Sequence, residues 1–372
     1  MCIRDRLKAV PEATEYPRTI GKDGKLKVTR KNDWTEGFYP GCLWYVYEYT
    51  NKEDWKKAAI KWTESLEPLK KMTNHHDIGF LMYCSFGNAY RLTGNEAYKD
   101  VLVESARSLC TRFNEKTGCI KSWNYRKSWN GKDEWFYPVI IDNMMNLELL
   151  YFATKVTGDS VYAKVANRHA ETTAKNQFRE DYSNYHVVNY DAETGEVLNQ
   201  ATCQGFSDNS AWARGQAWAI YGYTMAYRET HRQDFLDMAV HTADFWLNHP
   251  NLPEDGIPYW DFNAGQEDYV PDWNYDPEIF KVIPRDASAA AIVASAFLEL
   301  SGYVTDGKKY SAAAAHILKS LSSPAYLAEP GTNCNFILMH SVGSIPHGEE
   351  IDVPLIYADY YYLEALMRYK NM

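Results

Sequence analysis

The sequence predicts an all-α toroid or solenoid of helical hairpins, and three observations carry that prediction. First, a threonine is followed five residues later by an aromatic at Thr50/Trp55, Thr93/Tyr98, Thr157/Tyr162, Thr230/Phe235 and Thr305/Tyr310. Second, an apolar stretch precedes each pair and an amphipathic one follows it, often with alanine after the aromatic, as at Ala58, Ala166, Ala239 and Ala312. Third, the turns at the threonine end are short, whereas segments 113–141, 179–209, 249–285 and 322–353 are long and hold most of the Trp, Tyr, Gly and Pro. A hairpin repeated at fixed spacing cannot bury its apolar face alone, so it packs on its neighbours.

In chain order, helices are expected at about 38–49, 53–71, 77–92, 95–112, 142–156, 159–178, 210–229, 233–248, 286–303, 308–321 and 354–370. The earlier member of each hairpin is the more apolar, as an inner helix is; the later one carries Lys, Glu and Arg along one face, as an outer helix does. Thr93-Gly-Asn, Thr157-Gly-Asp and Thr305-Asp-Gly supply turn chemistry between them. Within a long segment, Tyr185-His-Val-Val-Asn-Tyr190 followed by Glu193-Thr-Gly-Glu196 reads as a short β-hairpin. Eleven helices are one short of six hairpins, because 354–370 lacks an outer partner. The expectation is therefore one domain over 1–372, a six-hairpin toroid truncated in its first helix. Residues 7–10 would be the remnant of that helix within a doubtful stretch 1–20, leaving an apolar face exposed along 354–370.

Composition narrows the function. The 372 residues are 45% hydrophobic, ample for a large core, and 29 Tyr and 12 Trp suit the flat faces of sugar rings. A formal charge of −10 with no basic tract argues against nucleic acid or an anionic membrane as partner. No run is long and apolar enough to span a membrane. The seven cysteines (Cys2, Cys42, Cys84, Cys110, Cys119, Cys203, Cys334) form no CxxC pair, and no HxxxH or HExxH occurs. No metal site is expected.

Two carboxylates stand where an aromatic or polar loop turns into an apolar helix: Asp142 and Asp77. Each is either an N-cap or half of a working pair. Two carboxylates converging on one buried site cannot both ionise cheaply, so one keeps its proton and serves as general acid. Asp286, in Pro284-Arg-Asp-Ala-Ser-Ala, reads as a cap alone. Arg214 and Trp218 lie one helical turn apart on one apolar helix. Arg214 needs an anion there: either a fixed carboxylate such as Asp208, or a carboxylate of the substrate. His75, His76 and His186 lie on the long-loop face, as do Trp34, Phe38, Trp123 and Trp135, each a candidate stacking surface or a core residue. His340-Ser-Val-Gly-Ser344 sets two hydroxyls three residues apart in a turn.

Seven segments carry a resemblance to a known family. They are His76-Asp-Ile-Gly-Phe80, Gly87-Asn-Ala-Tyr-Arg-Leu-Thr-Gly94, Ile140-Ile-Asp-Asn-Met-Met-Asn146, Tyr185-His-Val-Val-Asn189, Ser210-Ala-Trp-Ala-Arg-Gly-Gln-Ala-Trp218, Arg285-Asp-Ala-Ser-Ala-Ala290 and Asp352-Val-Pro-Leu-Ile-Tyr-Ala-Asp359. Together, and in this order, they resemble glycoside hydrolase family 88, the unsaturated glucuronyl hydrolases. The resemblance implies an (α/α)6 toroid that removes a non-reducing-end 4,5-unsaturated glucuronic acid from lyase-generated oligosaccharides, without a cofactor. Asp142 would be general acid/base and Asp77 its partner. Trp34, Phe38, His76, Trp123, His186, Gln204, Arg214, Trp218, Ser341 and Ser344 would line the substrate site.

Two positions depart from the family pattern. Cys203 replaces a His found in some members, and Pro346 replaces a Lys of members favouring sulfated substrates; both bear on which sugar is preferred. The resemblance further implies a bacterial periplasmic or cytoplasmic location. The rival readings are an unsaturated rhamnogalacturonyl hydrolase, with the same toroid and hydration chemistry, and a non-catalytic sugar-binding toroid. The parent polysaccharide and the oligomeric state stay open.

Overall fold

The computed structural model describes residues 2–30 and 32–372. Its helices are α1 (Cys2–Ala9), α2 (Phe38–Thr50), α3 (Glu53–Glu64), α4 (Ile78–Met82), α5 (Asn88–Thr93), α6 (Glu96–Cys110), α7 (Leu147–Thr157), α8 (Val161–Asn176), α9 (Ala213–Thr230), α10 (Gln233–Asn248), α11 (Ala287–Leu300), α12 (Gly307–Leu321) and α13 (Ile356–Lys370). A π-helical turn, Tyr83–Gly87, joins α4 to α5 into one rod, and a 3₁₀ turn, Ile141–Asn146, leads into α7. Successive inner helices α2, α4/α5, α7, α9, α11 and α13 touch in that order, and α13 closes on α2. The ring is closed: an (α/α)6 toroid.

Burial follows the pattern read from sequence. Along α11, Ala287 to Leu298 are all buried, its many alanines and serines allowing α9 and α13 to approach on both sides. Its outer partner α12 buries one stripe only, including Tyr310, Ala314, Ile317 and Leu321. The repeated aromatics anchor the outer helices: Trp55, Tyr98, Tyr162, Phe235 and Tyr310 are all buried.

The repeated threonines have a physical reason. Thr50, Thr93, Thr157 and Thr230 close the last turn of their inner helices, each hydroxyl donating to the carbonyl four residues back at 2.6–2.7 Å. The next residue is left-handed: Asn51, Gly94, Gly158 and His231 have φ of 52°, 65°, 75° and 55°, and each returns its N–H to the helix. That is a helix C-cap with αL geometry, which Gly adopts freely and Asn tolerates. Thr305 is different. Helix α11 has already ended at Leu300, so the fifth pair shares the buried aromatic but not the threonine clamp.

Three expectations are corrected. The stretch 77–92 is a helix interrupted by a π turn, and 53–71 ends as α-helix at Glu64 and resumes as a 3₁₀ turn, Glu67–Lys71. The apolar face of α13 is not exposed: Ile356 to Tyr362 are buried. Residues 7–10 belong to the end of α1 and the turn after it. From α1, the fully buried Arg6 donates to Asp359 of α13 at 2.5 Å and to the Asn335 carbonyl. A β-hairpin that the sequence reading missed, Tyr16–Ile20 with Leu26–Thr29, straps the entrance of α13 through Thr19, whose hydroxyl donates to the Pro354 carbonyl at 2.6 Å.

The long segments form small sheets at one mouth of the ring. Val187–Tyr190 lies between Pro138–Ile140 and Val197–Ala201, so the expected hairpin exists and gains a third strand. Ser341–Ser344 pairs with Glu349–Val353. Cys42, Cys84, Cys119 and Cys203 are buried free thiols, and Cys110 and Cys334 are half-buried.

Candidate active site

Strand register and one glycine bring the two carboxylates to the same mouth. Ile140 pairs with Val187, and the next N–H, that of Ile141, donates to the His186 carbonyl at 3.1 Å, so Asp142 emerges beside His186. Asp77 arrives on the entrance of α4. A Cβ on Gly79 would sit 2.6 Å from Asn146 Cα, so only glycine lets α4 approach the Ile141–Asn146 turn this closely. The contact is sealed by the Phe80 N–H donating to Asn146 Oδ1 at 2.9 Å. Arg112 fixes the loops behind, donating to the carbonyls of Lys121, Thr73 and Ser122. Gly79→Ala is expected to cost about 1–3 kcal/mol by overpacking and to lower turnover more than about tenfold by parting the carboxylates. Urea unfolding and steady-state kinetics on one preparation would check both.

Neither carboxylate is spent on capping. Asp77 holds the N-cap position of α4 without a side-chain capping bond, and the residue capping the turn that carries Asp142 is Ile140. Asp142 is buried, and its Oδ2 has no hydrogen-bond partner within the protein. Burial, with a contribution from the charge of Asp77, pushes its carboxyl up to about 7 against the opposing pull of Arg214. For Asp77, burial also works upward, but His76, His75 and Arg112 outweigh it and hold the carboxyl below its usual range. One acid is thus protonated near neutrality beside one that is ionised, a division that assigns donor and partner.

Two neutral imidazoles flank the pair. His186 Nδ1 accepts the N–H groups of Cys203 and Gln204 at 3.0 and 3.1 Å, leaving the proton on Nε2, 3.7 Å from Asp142 Oδ2. His76 Nδ1 faces the Asn146 amide at 3.4 Å, and its Nε2 lies 3.3 Å from Asp77 Oδ1. Burial pushes His76 down to about 4 and His186 well below the usual imidazole range.

Trp34, His76, Asp77, Trp123, Asp142, Gln204, Arg214 and Ser344 line one cavity of about 320 Å³. Other expected residues stand one layer back. Phe38 is fully buried and does not line the cavity; it supports Trp34 edge-on at 5.7 Å, and its expected contact with substrate is corrected to that role. Trp218 and Ser341 are likewise fully buried, the Trp218 indole N–H directed at Asp142 without reaching hydrogen-bond geometry. His186 is behind the wall, its buried Nε2 reaching only toward Asp142 Oδ2 at 3.7 Å. Trp135 is core.

The anion at Arg214 is also corrected. Its partner is Asp286 at 3.0 Å, not Asp208, whose Oδ1 instead accepts the Thr202 N–H. Arg214 donates as well to the carbonyls of Val342 and Gly343 and lies over the Trp212 ring. Asp286 therefore caps α11 and holds Arg214 at once.

Sequence reasoning missed Arg18, Arg126, His347, Glu350 and Tyr357, which also line the cavity. Arg18 bridges Asp33 and Glu350, tying the segment with Trp34 to the hairpin with Ser344. Nothing local to Arg18 marks it. Arg126 had a signal, a cation three residues after Trp123 in an aromatic loop. A larger cavity, about 720 Å³, opens at the opposite mouth, but its arginines are paired with Glu48, Glu148, Glu299 and Glu364 and it holds neither working carboxylate.

A closed six-hairpin ring with an acid pair and aromatic walls at its loop-rich mouth defines a carbohydrate-active toroid. Residues 12–251 match Glycosyl Hydrolase Family 88. An unsaturated glucuronyl hydrolase of Formosa agariphila is 49% identical over 363 residues, spanning 97% of this chain and 86% of that protein. An unsaturated chondroitin disaccharide hydrolase of Streptococcus agalactiae is 35% identical over 95% of this chain and 86% of its own length. The crystal structure of an unsaturated glucuronyl hydrolase specific for heparin superposes with a TM-score of 0.91 at 46% identity, covering 100% of this chain and 95% of the other. The chain belongs to glycosyl hydrolase family 88 and is a glycoside hydrolase acting on carbohydrate.

Proposed function

We propose that this enzyme removes the 4,5-unsaturated glucuronic acid from the non-reducing end of oligosaccharides released by a polysaccharide lyase, by hydrating the C4=C5 enol ether. The observation that carries the reading is the split pair: a buried Asp142 protonated near neutrality beside an ionised Asp77. The names of the similar proteins, an unsaturated glucuronyl hydrolase and an unsaturated chondroitin disaccharide hydrolase, support it.

Protonation is the difficult step, since carbon is a poor base. Asp142 gives its proton to C4, and the cation that results is shared between C5 and the ring oxygen. Water adds at C5 while the Asp142 carboxylate takes its proton, so the enzyme returns to its starting state. The C5 hemiketal opens to a ketone as the C5–ring oxygen bond breaks. That leaves a hemiacetal at C1, which expels the next sugar as an alcohol. Asp77 accepts sugar hydroxyls and disfavours a second negative charge at Asp142. His186 Nε2–H stabilises the carboxylate that Asp142 becomes, and Trp34 and Trp123 give the ring apolar faces. Gln204 and Arg214 lie in the wall where the uronate carboxylate is to be held.

The sign of the pH dependence follows. Asp142 must start protonated, so kcat/KM falls as pH rises through about 7. A bound uronate carboxylate screens Arg214, which pulls the Asp142 pKa down, so the same limb in kcat lies at higher pH. Initial rates at saturating and limiting substrate across pH 5–9 check this; a limb rising with pH contradicts it. The functional reading is tested by turnover of unsaturated glucuronyl disaccharides beside a rhamnogalacturonyl one. Turnover of the glucuronyl set supports it. Activity on the pectin-type sugar alone favours the first rival, and binding without turnover favours a sugar-binding toroid.

A further inference from the structure

Asn146 closes the 3₁₀ turn that carries Asp142, and it is fully buried, as is His76. The two ends of its amide do opposite work. The Phe80 N–H donates to one end at 2.9 Å, and a backbone N–H meets only an acceptor, so that end is Oδ1. The end facing His76 Nδ1 at 3.4 Å is then Nδ2, which only donates. His76 Nδ1 is therefore an acceptor and carries no proton. Burial pushes the His76 pKa down to about 4, so the ring is neutral and its one proton sits on Nε2. That nitrogen lies 3.3 Å from Asp77 Oδ1.

A second asparagine agrees with the first. Asn143 donates through Nδ2 to the Ile120 carbonyl at 2.7 Å and leaves only its oxygen for the imidazole. One neighbour that donates and one that accepts select a single neutral tautomer.

The arrangement repeats at the other carboxylate. His186 Nδ1 accepts the N–H groups of Cys203 and Gln204, which leaves Nε2–H for Asp142. There the donors are backbone groups, which no side-chain substitution removes. At His76 the donor is one side chain. A donor facing a carboxylate favours its ionised form, and the opposite tautomer of His76 would face Asp77 with a lone pair instead.

We propose that Asn146 is a positioning residue that acts through His76: it fixes the Nε2–H tautomer, and through it the ionised state and the placement of Asp77. The role rests on the proposed hydration reaction, in which Asp77 accepts sugar hydroxyls. The close approach of Gly79 to Asn146 then serves the tautomer as well as the spacing of the two carboxylates.

The experiment begins with the full chain, 15N-labelled at histidine, the His76 signals being assigned by their loss in His76→Gln. The expected result near neutrality is an unprotonated Nδ1 and a protonated Nε2. A protonated Nδ1 overturns the proposal before any turnover is measured. Asn146→Ala should populate the Nδ1–H tautomer and lower kcat/KM on an unsaturated glucuronyl disaccharide by about tenfold. In the His76→Gln background the same substitution should cost less than about twofold, because the imidazole it acts on is gone. An Asn146 that merely supports Phe80 would cost as much in both backgrounds. That result, or an unchanged tautomer in Asn146→Ala, overturns the proposal while leaving the reaction standing. Absence of turnover by the unaltered protein overturns the reaction and the role with it, whichever tautomer is read.

Discussion

Asp142→Asn is expected to lower turnover by about 10²–10⁴-fold or more while sugar binding stays measurable by calorimetry. The amide fills the same space but has no proton to give to C4. The same substitution makes a second prediction with the opposite sign. Folded Asp142 titrates at about 7 rather than near 3.8, so between those values the folded protein holds a proton that the unfolded chain has released. Stability is therefore lost as pH rises across that window, and the loss is complete above it. Asn removes the cost. The variant should melt at a higher temperature than the parent at pH 8, and the gap should shrink toward pH 4. A catalytically dead variant that is more stable in alkali marks a residue kept for chemistry rather than for the fold. An Asp142→Asn protein that retained full turnover would refute the assignment.

Asp286→Ala is expected to have the largest effect on folding. Its Oδ1 accepts the Ser288 and Ala289 N–H groups at the start of α11, and its Oδ2 holds Arg214 at 3.0 Å with both side chains essentially inaccessible. Deleting the carboxylate strips the helix cap and leaves a buried guanidinium facing two carbonyls without its counter-charge. Loss of one member of a buried pair costs about 3–5 kcal/mol, and the cap about 1 more. Urea unfolding should show the midpoint falling accordingly with the slope unchanged. Where enough protein still folds, KM should rise as Arg214 and the Gly343 segment it holds relax. A change below about 1 kcal/mol would mean that Arg214 is balanced by something other than Asp286.

What the sequence discloses and what it hides divide along one line. Local chemistry is legible. The threonine at each inner-helix terminus bonds four residues back in its own helix, so its spacing to the next aromatic survives in the sequence as a repeat. Asp77 and Asp142 are legible because each sits where a loop enters an apolar helix, and neither spends its side chain on the cap. Contacts between distant segments leave no such trace. Gly79 matters through Asn146, Arg18 through Glu350, and Arg214 through Asp286, partners separated by many tens of residues. Asp208 was the nearer candidate for Arg214 in sequence, but that loop turns its carboxylate to the Thr202 N–H instead. Phe38 shows the same limit from the other side. Its place next to Trp34 in the chain is visible, but not that Trp34 stands between it and the cavity.

The central claim is that water adds to the double bond before the glycosidic link is lost. The measurement that tests it is a single time course on an unsaturated glucuronyl disaccharide, following near-ultraviolet absorbance together with released reducing sugar. Hydration predicts that absorbance falls from the first seconds, never behind sugar release, and that Asp142→Asn abolishes both. Sugar release running ahead of absorbance loss would show that the link is cut first and the double bond lost afterwards, and would contradict the account.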